Sequence, residues 1–385
     1  MLFNQGYSIK IAENRCLNQR HSDVECNHCS RNCPSDAIIN HNAGVLLDAE
    51  RCSGCGVCLI DCPTQVFSSN QWDETTILQD VLAEGWKITE FFCGVHPAPF
   101  KKEKSQTRGA VQIPACLSAI SKGAWYELGL RTEIELHVEA CEDCPMKNVL
   151  ERLKYNIGLA SEWLEASGHP AEISTIFESQ AAIVKKNLKA LETGLKATSR
   201  RDFFLALVGK GKPKTKEIPD RSQSFSSDLN CEREDSLLAD WQKRLAKVYP
   251  QNMIEGYGQP AYWPTIKKSK DCVNCGMCAA VCPTKTLQIV MDGNCCTHYF
   301  TSGLCIDCRI CQLFCPREAI SRDREKVENP FALTPLFSAP SINCERCNFI
   351  TFTNSDNLCY WCKEEVAIDN DFKETCRKIF LNMKK

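Results

Sequence analysis

The chain lacks long apolar runs, a strong charge of either sign and any familiar nucleotide-binding or nucleophile motif. Among its 385 residues the longest purely apolar run near the middle is Phe203 to Val208. That is far too short to span a bilayer. Met1 to Arg15 holds no sustained apolar core, so no ordinary secretory signal is expected. A net charge of −2 gives no global reason to expect nucleic acid or an acidic membrane as partner. There is no G-x-G-x-x-G or Walker loop, no radical C-x3-C-x2-C run and no G-x-S-x-G elbow. His21, His28, His41, His96, His137, His169 and His298 show no ligand spacing and read as surface or packing residues. With 43% hydrophobic and 24% charged residues, the balance is that of a folded protein, long enough for more than one domain.

Cysteine is the excess: 28 residues in tight clusters. Without a secretion signal, such clusters read as metal binding in a reducing, cytoplasmic setting rather than as disulfides. Sixteen form four groups of four. They are Cys16, Cys26, Cys29, Cys33; Cys52, Cys55, Cys58, Cys62; Cys272, Cys275, Cys278, Cys282; and Cys305, Cys308, Cys311, Cys315, each followed by proline. The last three groups keep the spacing C-x2-C-x2-C-x3-C-P of a bacterial [4Fe–4S] site. Three closely spaced thiolates let one loop wrap three corners of a cubane, with backbone N–H groups turned toward sulfur. Gly54, Gly56 and Gly276 suit that close backbone approach. Apolar segments after each proline, Ala37-Ile38-Ile39, Val66-Phe67, Leu287 to Ile289 and Ala319-Ile320, would cover the clusters. The first group departs from the spacing, with nine residues between Cys16 and Cys26. A loop tolerates such an insertion at little entropic cost.

Residues 16–67 and 272–320 each resemble a bacterial two-cluster ferredoxin. In that family the fourth cysteine of each run serves the other cluster of the pair. The resemblance implies four ligand sets: Cys16, Cys26, Cys29 and Cys62; Cys52, Cys55, Cys58 and Cys33; Cys272, Cys275, Cys278 and Cys315; Cys305, Cys308, Cys311 and Cys282. Zinc knuckles with the same spacing are the bland alternative.

Residues 88–178 alternate strand and helix. Strands are expected at Ile88 to Phe92, Ala110 to Ile113, Glu133 to Val138 and Ala171 to Phe177. A helical stretch is expected at 117–128, and an amphipathic helix carries Val149, Leu153, Ile157, Ala160 and Trp163 to a stop at Gly168 and Pro170. A parallel sheet would place Cys93, Cys116, Cys141 and Cys144 past the carboxyl ends of its strands, where sites in open α/β sheets form. A fifth iron–sulfur centre is expected there. Ordinary thiols or a redox disulfide at Cys141–Cys144 are the alternatives. The segment is similar to the small cysteine-bearing α/β domain in iron–sulfur subunits of hydrogenase and heterodisulfide-reductase systems.

Residues 180–260 read as helical and polar, with a linker at 210–230. Ser199 to Leu205 looks like a twin-arginine motif, but at mid-chain a capped helix with a basic linker is the plainer reading. In the tail, Cys344 and Cys347, then Cys359 and Cys362, suit tetrahedral zinc on two knuckles. Rubredoxin-like iron is the runner-up. Asn348 and Lys363, rather than glycine, follow the knuckles and favour zinc. Cys295 and Cys296 are expected to pack beside the clusters, and Cys231 and Cys376 carry no assigned role.

The expected fold class is α+β multidomain. A dicluster module spans 1–70, an α/β domain 71–180, a helical segment and linker 181–260, a second dicluster module 261–330 and a zinc-ribbon-like tail 335–385. A cubane saturated by four cysteines passes single electrons but offers no iron to substrate. This argues for an electron carrier or electron-transfer subunit rather than a stand-alone enzyme. Four cubanes and one zinc tetrathiolate, at about −2 each, would take the holoprotein to about −12 and favour docking on basic redox partners. As a whole the chain resembles the multi-cluster ferredoxins that accompany molybdopterin oxidoreductases such as formate dehydrogenase. That resemblance implies a redox protein partner, while the short apolar runs argue against a membrane span and the near-neutral charge gives no reason to expect nucleic acid. A substrate-reducing centre in the α/β domain and a redox-sensing regulatory or assembly role are the rivals.

Overall fold

The computed structural model describes residues 9–21, 23–41, 44–69, 72–96, 107–177, 189–192, 236–256 and 259–364. The twin-arginine look-alike, the 210–230 linker, Cys231 and Cys376 lie outside them. Mixed α/β structure is arranged in several sheets, one of them parallel. Among the described residues no helix is long and apolar enough to cross a membrane.

The first cysteine-rich segment builds two antiparallel pairs. Strand β1 (Ile9–Ile11) and hairpin strands β2 (Ile38–His41) and β3 (Gly44–Leu47) precede β4 (Phe67–Ser69). β1 pairs with β4 and β2 with β3. Cys16, Cys29, Cys58, Cys62, Val45, Val66 and Phe67 share one small core. Ile38 is buried there, but Ile39 is 48% exposed, because alternate residues of a strand face opposite ways. The expected cover over the thiols is therefore Ala37 and Ile38 without Ile39.

Next comes α1 (Glu74–Glu84), capped by the Asp73 carboxylate, which accepts from the Thr76 N–H at 3.2 Å. It leads into β5 (Ile88–Phe92), β6 (Arg108–Gln112), α2 (Lys122–Gly129), β7 (Glu133–His137), α3 (Leu150–Ala166), β8 (Ile173–Ile176) and β9 (Lys189–Glu192). All four pairings in the sheet order β8-β7-β5-β6-β9 are parallel. The expected strand at 110–113 starts two residues earlier. The expected helix at 117–128 splits into a 3-10 turn at Leu117–Ala119 and α2. Ser121 separates them by capping the Ala124 N–H. The strand at 189–192 corrects the helical reading of that stretch: its backbone takes the free edge of β6. Helix α4 (Asp240–Gln251) packs on α2, and its Leu245, Ala246 and Tyr249 enter the core of the parallel sheet.

The second cysteine-rich segment repeats the first topology. Strand β10 (Ala261–Lys268) pairs with β13 (Ile320–Val327), and β11 (Leu287–Asp292) with β12 (Cys295–Phe300). Strand β14 (Thr334–Asn343) adds to β12, and β15 (Ile350–Phe352) to β14. Cys296 is fully buried beside Cys275, Cys278 and Cys282, whereas Cys295 is exposed. The same two-residue alternation corrects the expectation that both pack inward. Trp163 of α3 stacks on Trp263 of β10 at 4.6 Å, joining the α/β core to the second segment.

Candidate functional site

The three regular cysteine runs fold alike at the backbone. The second and fourth residues after the first cysteine are left-handed in each: Gly54 and Gly56, Asn274 and Gly276, Asp307 and Arg309. A second recurrence covers all four groups. The third residue after the last cysteine has φ near +50°: Asp36 (48°), Gln65 (53°), Lys285 (55°) and Glu318 (50°). In three of them this turn carries the next N–H back onto the cysteine sulfur. Ala37 donates to Cys33 Sγ at 3.3 Å, Val66 to Cys62 Sγ at 3.3 Å and Ala319 to Cys315 Sγ at 3.2 Å. Such bonds stabilise sulfur as thiolate and tune whatever metal it binds.

The thiols gather across the runs. Cys29 has Cys62, Cys26 and Cys16 as electrostatic neighbours, and burial with those neighbours pushes it up to about 12. Cys58 faces Cys55, Cys52, Cys33 and Cys29 and is raised well above its ordinary value, chiefly by burial. Cys275 faces Cys278, Cys272 and Cys315. Cys311 faces Cys282, Cys305, Cys278 and Cys308. Buried thiols crowded in this way are poor thiolates alone and need a cation to hold their charge. Among the described residues, no three of these sulfurs lie within 4.8 Å of one another. That spread suits a multi-iron cage better than a single ion.

The nine-residue insertion does not carry Cys16 away. Asn18 clamps it: its Oδ1 accepts from the Cys26 N–H at 2.7 Å and its Nδ2 donates to the Cys26 carbonyl at 2.8 Å. Cys16 is buried and borders a cavity with Cys26, Cys29 and Cys62.

In the α/β domain, Cys93, Cys116, Cys141 and Cys144 line one apolar pocket with Met146 and Val149. Cys93, Cys141 and Cys144 follow β5 and β7, and Cys116 follows β6, all at the same sheet edge. Burial, then the Cys116, Cys93 and Cys144 thiols, push Cys141 up to about 12. The Cys116 N–H donates to the Cys55 carbonyl at 3.1 Å, so this pocket adjoins the second cysteine run. Beside it, His137 bonds Glu90 and Glu139, each at 3.0 Å. Glu90, Glu135 and His137 converge closely enough for a metal, but the Arg108 guanidinium already bridges Glu90 and Glu135.

In the tail, Cys344, Cys347, Cys359 and Cys362 place their sulfurs within 4.8 Å of one another. Tetrahedral zinc with Zn–S of about 2.3 Å needs sulfurs roughly 3.8 Å apart, so one ion fits this set and a cubane is too wide for it. Asn348 adopts φ +58°, doing what glycine does in such knuckles, so its presence does not separate zinc from rubredoxin-like iron. The Trp361 indole N–H donates to the Cys275 carbonyl at 3.2 Å, seating the tail on the third run.

Several polar residues beside the thiols escape a spacing-based reading. Lys268 donates to Cys278 Sγ at 3.1 Å and meets His298 Nδ1. His298, 1% exposed, bonds Asn274 Oδ1 at 2.8 Å through Nε2. Against burial, the Cys278 and Cys272 thiolates hold Lys268 above its ordinary value, while burial and Lys268 hold His298 well below its own. The histidine therefore stays neutral. Sheet register, not local spacing, brings these groups together, and a lysine four residues before a cysteine run was the available signal.

Residues 266–288 match the 4Fe-4S binding domain family. The match covers Lys268, the third cysteine run and the start of β11. These findings fit an iron–sulfur protein. The match supports at least one [4Fe–4S] cluster and points to iron–sulfur electron transfer. No curated protein matches the chain.

Proposed function

We propose that the chain relays single electrons through four [4Fe–4S] clusters on the crossed ligand sets, a fifth iron–sulfur centre on Cys93, Cys116, Cys141 and Cys144, and a structural zinc on the tail. When bound, such clusters supply one-electron transfer without an open iron site. The observation that carries this reading is the gathering of each run's last cysteine with the neighbouring run. Contacts between the sets support an arrangement in series. The Cys116–Cys55 bond links the α/β pocket to the second set. The second and first sets share Cys29, Cys33, Cys58 and Cys62 in one core. Cys26 and Cys308 both pack against the cluster of Leu17, Val281 and Ile310, which brings the first set near the fourth. The third and fourth share a core with the tail knuckles.

The chain's own residues keep water from the sulfurs and donate hydrogen bonds to them. The tail zinc is a staple for a segment too small to fold alone. A redox protein receives or supplies the electrons, and a molybdopterin oxidoreductase such as formate dehydrogenase is the partner class that the ferredoxin resemblance suggests. Anaerobic purification with iron, sulfide and zinc counts tests the assignment. It expects about twenty or fewer irons, at least about sixteen, and one zinc per chain. Protein that shows no paramagnetic signal after dithionite sinks it.

The pocket beside the His137–Glu90–Glu139 array supports a second reading, in which the α/β centre reduces a substrate. That version requires substrate-dependent oxidation of the reduced protein, lost in Cys141→Ser.

A further inference from the structure

A cavity of about 130 Å³ lies where the first cysteine-rich segment, α2, α3, α4 and the second segment meet. Lys122, the first residue of α2, contributes its ammonium. Its cation–π partners are the Trp163 ring at 5.5 Å and the Trp241 ring at 5.3 Å. Among the described residues no hydrogen bond or ion pair engages it, and Asp61 acts on it only at longer range. Of the acids of the wall, Asp307 binds Arg322, and Asp61 gives one oxygen to the Arg152 Nε at 2.6 Å while its Oδ2 has no partner. Arg324 adds another cation, and burial keeps His28 below its ordinary value. Three cations against two carboxylates leave the wall net positive, and burial followed by Arg152 and Arg324, opposed by Asp61, brings Lys122 down to about 8.

A second observation is independent of charge. Asn156, 1% exposed, leaves its Nδ2 without a partner, and the Trp163 and Trp263 indole N–H groups, also buried, are unpaired as well. All three residues line the cavity. Buried donors are nearly always satisfied, because leaving one without an acceptor is costly. The orphaned donors and the three cations Lys122, Arg152 and Arg324 outnumber the one orphaned Asp61 oxygen, so the space is short of acceptors that carry negative charge.

We propose that this cavity binds a small carboxylate or oxyanion, held by the Lys122 ammonium inside the tryptophan cage. The charge-assisted contact would be strong because water is largely excluded. Cys305 and His28 also border the cavity, so the anion would sit between the two cysteine-rich segments.

The test is calorimetric titration of the full-length, anaerobically reconstituted protein with acetate and, separately, inorganic phosphate, at ionic strength held constant with a bulky sulfonate salt. Saturation by at least one of them at one per chain is expected, with acetate alone indicating a carboxylate site and phosphate an oxyanion site. Lys122→Met should weaken binding at least tenfold, and Lys326→Met, on the exposed surface, should leave it unchanged. Affinity should also fall as pH rises through about 8, where Lys122 loses its proton. If Lys122→Met loses iron, Asn156→Leu and the wild-type pH profile decide instead. Failure of both anions to saturate, or wild-type binding by an iron-replete Lys122→Met protein, overturns the proposal and leaves the electron-relay reading standing.

Discussion

Lys268 of β10 sits opposite Ile320, five residues past the last cysteine of its run. In the first segment the same register position, opposite Phe67, is Ile11. His298, opposite Ile289, likewise has Val45, opposite Asn40, as its counterpart. The two segments share strand pairing and left-handed turns, yet one buries an ammonium against a sulfur where the other buries a methyl group. A cation beside a reducible centre stabilises the added electron. The third set should therefore take electrons more readily than the first, and the scaffold can set a direction without altering a single ligand. Their neighbours differ too: the first segment abuts the α/β pocket and the second abuts the tail.

The bluntest way to break this comparison is to remove a thiol from each side. Cys29→Ser and Cys275→Ser should each cost about four irons per chain, counted chemically. The paramagnetic signals of the other segment should survive. If either variant loses all its iron, the segments do not load independently.

A packing change comes next. A Cβ at Gly109 of β6 would fall inside the Trp86 ring. Gly109→Ala should destabilise the α/β domain by about 1–3 kcal/mol, read in thermal unfolding. Iron bound by the second segment should be unaffected below that transition.

How much of this was legible beforehand follows from the range of each interaction. Metal ligands spaced by two or three residues are local, so the regular runs and the tail pairs stand out in the chain. The parallel sheet was legible through its alternating periods, since Phe91, Ile134 and Leu136 mark buried strands by themselves. Strand β9 was not, because a four-residue edge strand carries too short a period to tell from helix. Lys268, His298 and Asn274 are 30 residues apart or less, but only strand pairing makes them neighbours. Lys122, Asn156 and Trp263 meet through tertiary packing of three elements, and no sequence pattern encodes that cavity.

Exchange of the charged position sharpens the comparison. Lys268→Met removes a charge-assisted hydrogen bond that strengthens as the sulfur gains negative charge on reduction. It should lower the midpoint potential of the third set by about 59 mV, a tenfold change for one electron. Ile11→Lys should move the first set the other way. Equal potentials in both segments of the wild type would show that the buried lysine has no such influence.

The smallest effect concerns docking. An acidic holoprotein should associate with a basic redox partner a few-fold more slowly at about 200 mM salt than at about 50 mM, followed by stopped flow. Indifference to salt would remove charge as the means by which either segment finds its partner.

Because Trp361 clasps the Cys275 carbonyl, the knuckle lies over a loop that the ribosome makes 86 residues earlier. If the tail captures its own ion, maturation would have a timetable, with the nascent loop open to iron donors only until the later segment emerges. Unfolded chains given zinc first should then acquire iron more slowly than chains given iron first.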